Sequence, residues 1–210
     1  MVSDRHALVI TGGPSTTKTA DLPTADLVVA VNGGAEHATL LGLVPDLVVG
    51  DLDSISVEAL AVLAQSESAV EQHPTDKDET DLELALASVA ALGVTSVTIV
   101  TTAAGRPDHA LANLLIAASD RWAELDVNLL VDSSRAWVVR HQLEFSAPIG
   151  SVVSLISVGG PATGISTSGL RWPLSDESLG PDVGRGVSNE VSQPGVKVTV
   201  GGGTLLVIAP

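Results

Sequence analysis

The chain has 210 residues, 45% of them hydrophobic, and its 25 acidic residues against 10 basic ones leave a formal charge of -15. This is enough apolar material for one large or two small packed domains, and it excludes a disordered chain. The acidity excludes the basic face a nucleic-acid-binding protein needs and fits poorly with an anionic membrane surface, while the absence of cysteine excludes disulfides, thiolate catalysis and Cys-ligated zinc.

The opening residues, MVSDRHALVITGG, lack the basic-then-apolar pattern of a secretory signal. No segment reaches the ~18 uninterrupted apolar residues of a membrane helix, so the expected location is the cytoplasm. Short apolar runs at Ala7–Thr11, Leu27–Val31, Leu47–Gly50, Val97–Thr101 and Val127–Val131 predict buried strands. Continuous Val/Ile/Leu runs without polar alternation suit a parallel sheet covered on both faces. Helical spacing separates them. Leu82, Ala85, Leu86, Val89 and Ala90 form one stripe after Thr80, and Leu111, Leu114, Leu115 and Ala118 form another. Strand–helix alternation of this kind predicts an open, mostly parallel α/β sheet with flanking helices, which binds ligands beyond the carboxyl ends of its strands.

The pattern changes near Ser133. Strand candidates follow at Trp137–Phe145, Val152–Val158, Val196–Val200 and Thr204–Ile208, separated by Gly- and Pro-rich stretches that include Gly159–Pro161. The expected organisation is therefore α/β over residues 1–134 and a small all-β sandwich over 135–210. A core that small is marginal by itself and gains from packing against another domain or subunit.

Three acidic clusters stand at element ends: Asp51-Leu52-Asp53-Ser54 directly after a predicted strand, Asp76-Lys77-Asp78-Glu79-Thr80-Asp81 opening a helix, and Arg106-Pro107-Asp108 after the predicted strand Val97–Thr101. Parallel neighbouring strands bring such loops to one edge of the sheet. Asp51 and Asp53, two residues apart, point the same way in an extended segment. Converging carboxylates make the oxygen-rich site that Mg²⁺ prefers. Arg106 suits bidentate phosphate contact and Lys77 supplies a point charge. Each residue alone also has a structural explanation. An Asp after a strand bonds its own turn, Thr80 with Glu83 reads as a capping box, and Asp108 as an N-cap. It is the joint occurrence of three loops that favours a site.

Gly12-Gly13-Pro14-Ser15-Thr16-Thr17-Lys18-Thr19 approaches a phosphate-binding P-loop but carries Thr17 where the second Gly is needed, and Pro14 removes an N–H donor. It is expected to be a polar, flexible loop. His37, His73 and His141 are scattered and read as surface or solvated residues. Trp122 reads as packing at a helix end and Trp137 at a strand start. Trp172 lies in a Gly- and Pro-flanked stretch of the β region.

Taken in order, VNGGAEHATLLGLVPDLVVGDLDSI, PTDKDETDLELAL, AAGRPDHALANLL, GSVVSLISVGG, STSGLRWPL and GVSNE resemble the thiamine pyrophosphokinase family from about Val31 onward. The resemblance implies an α/β nucleotide domain before a β-sandwich, in a homodimer. It implies that Asp51, Asp53 and Asp81 bind Mg²⁺ and its phosphates, and that Asn32, Gly33, Lys77, Thr80, Arg106 and Asp108 lie on the nucleotide side. On that resemblance, Asp51, Asp53, Asp81 and Arg106 are expected to carry the catalysis. Trp172 and Ser188 look like the thiamine side, with Trp172 stacking on the vitamin and the partner subunit's β domain contributing it. The family pattern has Asp where this chain has Asn32, whose amide oxygen still coordinates Mg²⁺ but adds no charge. It also often has Gly where this chain has Ala104.

The expected reaction is diphosphoryl transfer from ATP to the hydroxyl of thiamine, giving thiamine diphosphate and AMP, with Asp81 as proton acceptor. Two alternatives stand beside it. One is a related diphosphokinase acting on a hydroxymethyl pterin. The other is a degenerate protein that binds nucleotide or thiamine without chemistry.

Overall fold

The computed structural model describes residues 4–53, 55–63 and 65–210. Ser54, the last residue of the first acidic loop, lies outside the described residues. The chain forms two compact units, Met1–Ile116 with Trp122–Asp132, and Ala117–Arg121 with Ser133–Pro210.

The first unit is built on six parallel strands: β1 (His6–Thr11), β2 (Leu27–Val31), β3 (Leu47–Gly50), β4 (Ala69–Gln72), β5 (Ser96–Thr101) and β6 (Asp126–Val131). Their order is β4-β3-β2-β1-β5-β6, and every adjacent pair is parallel. The helices are α1 (Gly34–Leu40), α2 (Val57–Leu63), α3 (Asp81–Ala91) and α4 (Pro107–Ala117). Alternation along the strands explains why both faces are apolar. Leu8 and Ile10 of β1 pack with Ala38 and Leu41 at α1. Ala30 and Val48 pack with Ala35, Ala59 and Leu63 of α1 and α2. Val9, Val29 and Val49 point the other way and are fully buried as well. The predicted stripe of α3 is confirmed at Leu82, Ala85, Leu86 and Val89, all buried, but its last member, Ala90, is exposed. That of α4 is corrected. The helix forms, but Leu111 is 59% exposed and Leu115 48% exposed, while Ala117 and Ala118 are buried. Spacing alone locates an apolar stripe without showing that anything covers it.

The second unit is strand-rich. The predicted Trp137–Phe145 strand is two strands, β7 (Ser134–Val139) and β8 (Gln142–Phe145), with Trp137 stacked on Phe145 at 4.8 Å. The Gly159–Pro161 break lies inside one long strand, β9 (Val152–Ser168). Four more strands follow: β10 (Glu177–Leu179), β11 (Asn189–Glu190), β12 (Val196–Thr199) and β13 (Gly202–Ala209). β9 pairs with β13 mainly through its first half and with β12 through its end, and also with β10 and β11, so it takes part in four ladders. The register with β13 shifts between Thr204 and Gly202, where β9 bulges through Gly159-Gly160-Pro161. Only glycine fits opposite that bulge: Gly203 has φ +80°, and a Cβ there would lie 2.5 Å from the Pro161 carbonyl oxygen. One core takes Leu155 and Ile165 from β9, Val196 and Val198 from β12 and Leu205 and Val207 from β13. This is the arrangement of a sandwich whose strands switch sheets at a bulge. The Ala117–Arg121 turn belongs to this unit because Arg140 donates to the carbonyls of Ala118 and Ser119, at 3.1 and 2.8 Å. Among the described residues, no helix is long and apolar enough to cross a membrane.

Candidate functional site

All six strands of the first unit end at one edge, and the segments after five of them, β2 to β6, deliver polar residues there. Asn32 follows β2, Asp51 follows β3, and the loop after β4 leads through Lys77 to Asp81 at the start of α3. Arg106 follows β5 and precedes α4, and Asp132 follows β6.

Asn32 joins the predicted carboxylates. Its Nδ2 donates to Asp51 Oδ1 at 2.8 Å, Asp53 Oδ1 at 3.3 Å and Asp81 Oδ2 at 3.3 Å. Lys77 Nζ pairs with the other Asp81 oxygen at 3.0 Å. Asn32 sits at φ 47°, in the left-handed region that Asn tolerates better than most residues. Gly34, two residues on, lies so close to β1 that a Cβ would clash with the Ile10 carbonyl. These constraints fix the β2–α1 turn.

Asp51 and Asp53 converge for a reason other than extension. Leu52 has φ 68°, and the Asp53 N–H donates to Asp51 Oδ1 at 3.3 Å. The segment is a side-chain-bonded turn. Burial pushes the Asp51 carboxyl up, but its bonds to Asp53 and Asn32 and the nearby Lys77 charge outweigh this and hold it below the usual carboxylate value.

Among the described residues, no group of three His, Cys, Asp or Glu side chains is arranged to hold a metal ion. The donor chemistry is nonetheless that of a hard cation site, because three carboxylate oxygens aim at one point. The amide nitrogen of Asn32 occupies that point. Its oxygen, the expected metal ligand, is buried without a hydrogen-bond partner.

Beside this cluster lies a cleft of about 810 Å³, lined by Gly12, Gly13, Asn32, Gly33, Thr80, Asp81, Thr102, Arg106 and Asp108, among others. The volume is in the range of nucleotide- and drug-sized sites. Asp51, Asp53 and Lys77 reach it through Asn32 and Asp81. Arg106 is exposed and pairs with Asp108, Nη2 to Oδ2 at 2.6 Å. That contact holds the Asp108 carboxyl down at about 2. Asp108 lies in the first turn of α4, with Pro107 as its first residue, so it is not the N-cap. Thr80 forms the expected capping box: its N–H donates to Glu83 Oε2 at 2.9 Å, and its hydroxyl accepts from the Glu83 N–H at 3.3 Å.

His37 differs from the solvated residue expected. It is 6% exposed and lines the cleft, with Nδ1 3.1 Å from the Thr11 carbonyl oxygen. Asp132, which sequence reasoning missed, takes the Ala103 N–H at 2.9 Å and the Thr16 N–H at 3.2 Å. Those donors and the Thr102 hydroxyl outweigh burial and hold its carboxyl below the ordinary value. A lone Asp after a strand gave no signal of this.

In the second unit, Trp172 and Ser188 come together through Asn189. Asn189 is buried. Its Oδ1 accepts the Trp172 N–H at 3.2 Å and its Nδ2 donates to the Trp172 carbonyl at 2.8 Å. Trp172 is 54% exposed, with the Arg171 guanidinium 4.8 Å from its ring centre. Ser188, at φ 58°, is exposed, and its N–H donates to Ser154 Oγ at 3.1 Å. Asn189 was legible only as part of GVSNE.

Residues 21–129 match the profile described as "Thiamin pyrophosphokinase, catalytic domain", and residues 140–205 match "Thiamin pyrophosphokinase, vitamin B1 binding domain". Thiamine pyrophosphokinase 1 of Oryza sativa subsp. japonica is 25% identical over 166 residues, 74% of this chain and 62% of that protein. Thiamine pyrophosphokinase 2 of Arabidopsis thaliana is 30% identical over 146 residues, 64% of this chain and 54% of that protein. The chain thus spans less than two thirds of these relatives. The thiamine pyrophosphokinase structure from Bacillus subtilis superposes with a TM-score of 0.86 at 20% identity, covering 98% of both chains. A thiamin pyrophosphokinase family protein from Enterococcus faecalis gives 0.80 at 23% identity, again covering 98% of both. Those structures establish the shared fold, and with the profile over residues 21–129 the chain belongs to the thiamin pyrophosphokinase family.

Proposed function

We propose that the protein is a magnesium-dependent thiamine diphosphokinase. The observation that carries this reading is the convergence of Asp51, Asp53 and Asp81 on one point beside the large cleft. The thiamine hydroxyl oxygen forms a bond to the β-phosphorus of ATP, the bond from that phosphorus to the α-phosphate's bridging oxygen breaks, and AMP leaves. The hydroxyl proton passes to a carboxylate, for which Asp81 is our assignment. Mg²⁺, held by Asp51, Asp53 and Asp81, would supply charge to the donor's phosphates. For the carboxylates to hold it, the Asn32 amide turns, moving Nδ2 off their common point.

Lys77, already paired to Asp81, adds a positive charge beside the phosphates. Arg106 exchanges its exposed partner Asp108 for a phosphate oxygen, which costs little because a surface pair is weak. Catalysis then rests on positioning and charge stabilisation. Trp172 offers its open indole to the vitamin's ring, with Ser188 nearby. The reading includes a homodimer, supported by the small size of the second unit, and sedimentation of the purified chain tests it.

The deciding experiment incubates the chain with ATP, Mg²⁺ and thiamine and measures AMP and thiamine diphosphate together. Equimolar formation of both is expected, and the absence of both overturns the reading. A second reading, binding without transfer, is favoured by the Asn32 nitrogen at the carboxylates' common point. Thiamine binding by calorimetry without AMP release would establish it.

A further inference from the structure

The Gly12–Thr17 segment has the near-miss P-loop spacing, and the structure gives it a different task. It is pinned. From the end of β1 it passes the end of β5 and reaches β6, where Thr16 N–H donates to Asp132 Oδ1 at 3.2 Å. The Thr17 hydroxyl donates to the Asp132 main-chain oxygen at 2.9 Å, and Thr17 is buried. Ser15 Oγ donates to Thr17 Oγ1 at 3.0 Å. The other carboxylate oxygen of Asp132 accepts the Ala103 N–H at 2.9 Å. Because β5 lies between β1 and β6, one side chain ties the ends of three successive strands.

The two loops it ties are the walls of the cleft. Gly12, Gly13 and Pro14 line it from one side, and Thr102, Ala104 and Gly105 from the other. They also touch. Gly13 has φ +117°, and a Cβ there would lie 2.8 Å from Thr102 Cγ2. Asp132 itself sits at φ 55°, a left-handed conformation that Asp tolerates. Backbone N–H donors to a carboxylate are charge-assisted and stronger than neutral pairs.

We propose that Asp132 is a positioning residue for the nucleotide: its carboxylate sets the spacing of the 12–17 and 102–106 loops, and through them the affinity for a nucleoside triphosphate. This rests on the nucleotide reading of the cleft. It assigns to β6 a part in the site although Asp132 does not line the cleft.

The test uses Asp132→Asn and Asp132→Ala in the full chain. The amide keeps one acceptor and turns an NH₂ toward a backbone N–H, so it removes one of the two bonds. Alanine removes both. Amide exchange in the ligand-free protein should accelerate about tenfold at one of the two amides, Thr16 or Ala103, in Asp132→Asn, and at both in Asp132→Ala, with the β1 and β5 amides unchanged. KM for ATP should rise about tenfold with kcat and the thiamine KM retained. Unchanged exchange at both amides overturns the clamp. Faster exchange with an unchanged ATP KM overturns its role in positioning. If Asp132→Ala loses protection throughout the sheet, Asp132→Asn decides. If the wild-type chain binds no ATP in calorimetry, the nucleotide reading and the positioning role fall together, while the exchange data still judge the clamp.

Discussion

The two halves of the strand-end edge are held together by different means. At β2, β3 and β4, side chain meets side chain: one amide nitrogen and one lysine stand among three carboxylates. At β1, β5 and β6, side chain meets backbone: Asp132 takes two main-chain N–H groups, and hydroxyls of the β1 loop and main-chain carbonyls complete the set. The first arrangement is where the proposed cation would take the place of the Asn32 amide nitrogen, which offers the carboxylates only a partial positive charge. The second cannot be displaced without breaking the loops' own hydrogen bonds. A site that must exchange a charged ligand while keeping its shape would be expected to divide the work in this way.

Perturbing the acidic half directly gives the largest expected effect. Asp53→Ala should lower kcat for AMP release by about 10²–10³-fold while leaving the far-UV spectrum intact, as for removal of one preorganised charge-stabilising group. Near-wild-type turnover at saturating Mg²⁺ would count against the carboxylate cluster as the reacting centre.

Asn32→Asp sharpens the comparison next. It replaces the donor that bridges three carboxylates with a fourth acid, so the ligand-free protein should melt several degrees lower. Added Mg²⁺ should then raise the melting temperature more than it does in the wild type. Equal melting temperatures without metal would show that the amide is not what holds the acids together.

Thr80→Ala removes the capping box at the start of α3. Chemical denaturation should show a loss of about 1 kcal/mol. A larger effect on kcat than on stability would move Thr80 from scaffold to site.

The smallest effect on stability concerns Arg106. Its guanidinium holds the Asp108 carboxyl at about 2, below the ordinary 3.8. A depressed folded-state value means the pair's contribution is present above pH 3.8 and is lost as pH falls through about 2. In Arg106→Ala, NMR titration should return Asp108 toward its ordinary value. Both groups are exposed, so stability at neutral pH should barely change.

Sequence alone determined the repeating parts. Val- and Ile-rich runs specify strands buried on both faces, and i, i+3, i+4 spacing specifies α3, because both are periodic and local. Two of the three acidic loops were legible for the same reason, because parallel strands deliver their carboxyl ends to one edge whatever the side chains; the strand before the second, Ala69–Gln72, is mostly exposed and gave no apolar run to read. Only the tertiary structure decided which way groups face and what restrains them. Leu111 and Leu115 have core spacing yet lie exposed, since spacing says nothing about a covering partner. The convergence of Asp51 and Asp53 needed Leu52 in the left-handed region, a single-residue conformation without a sequence signature. Asn32 turns its nitrogen toward the acids because three carboxylate oxygens demand a donor, and that demand exists only once three distant loops have met. Asp132 is the extreme case. It is one acid after one strand in the sequence, and its bonds reach back 116 and 29 residues, to Thr16 and Ala103.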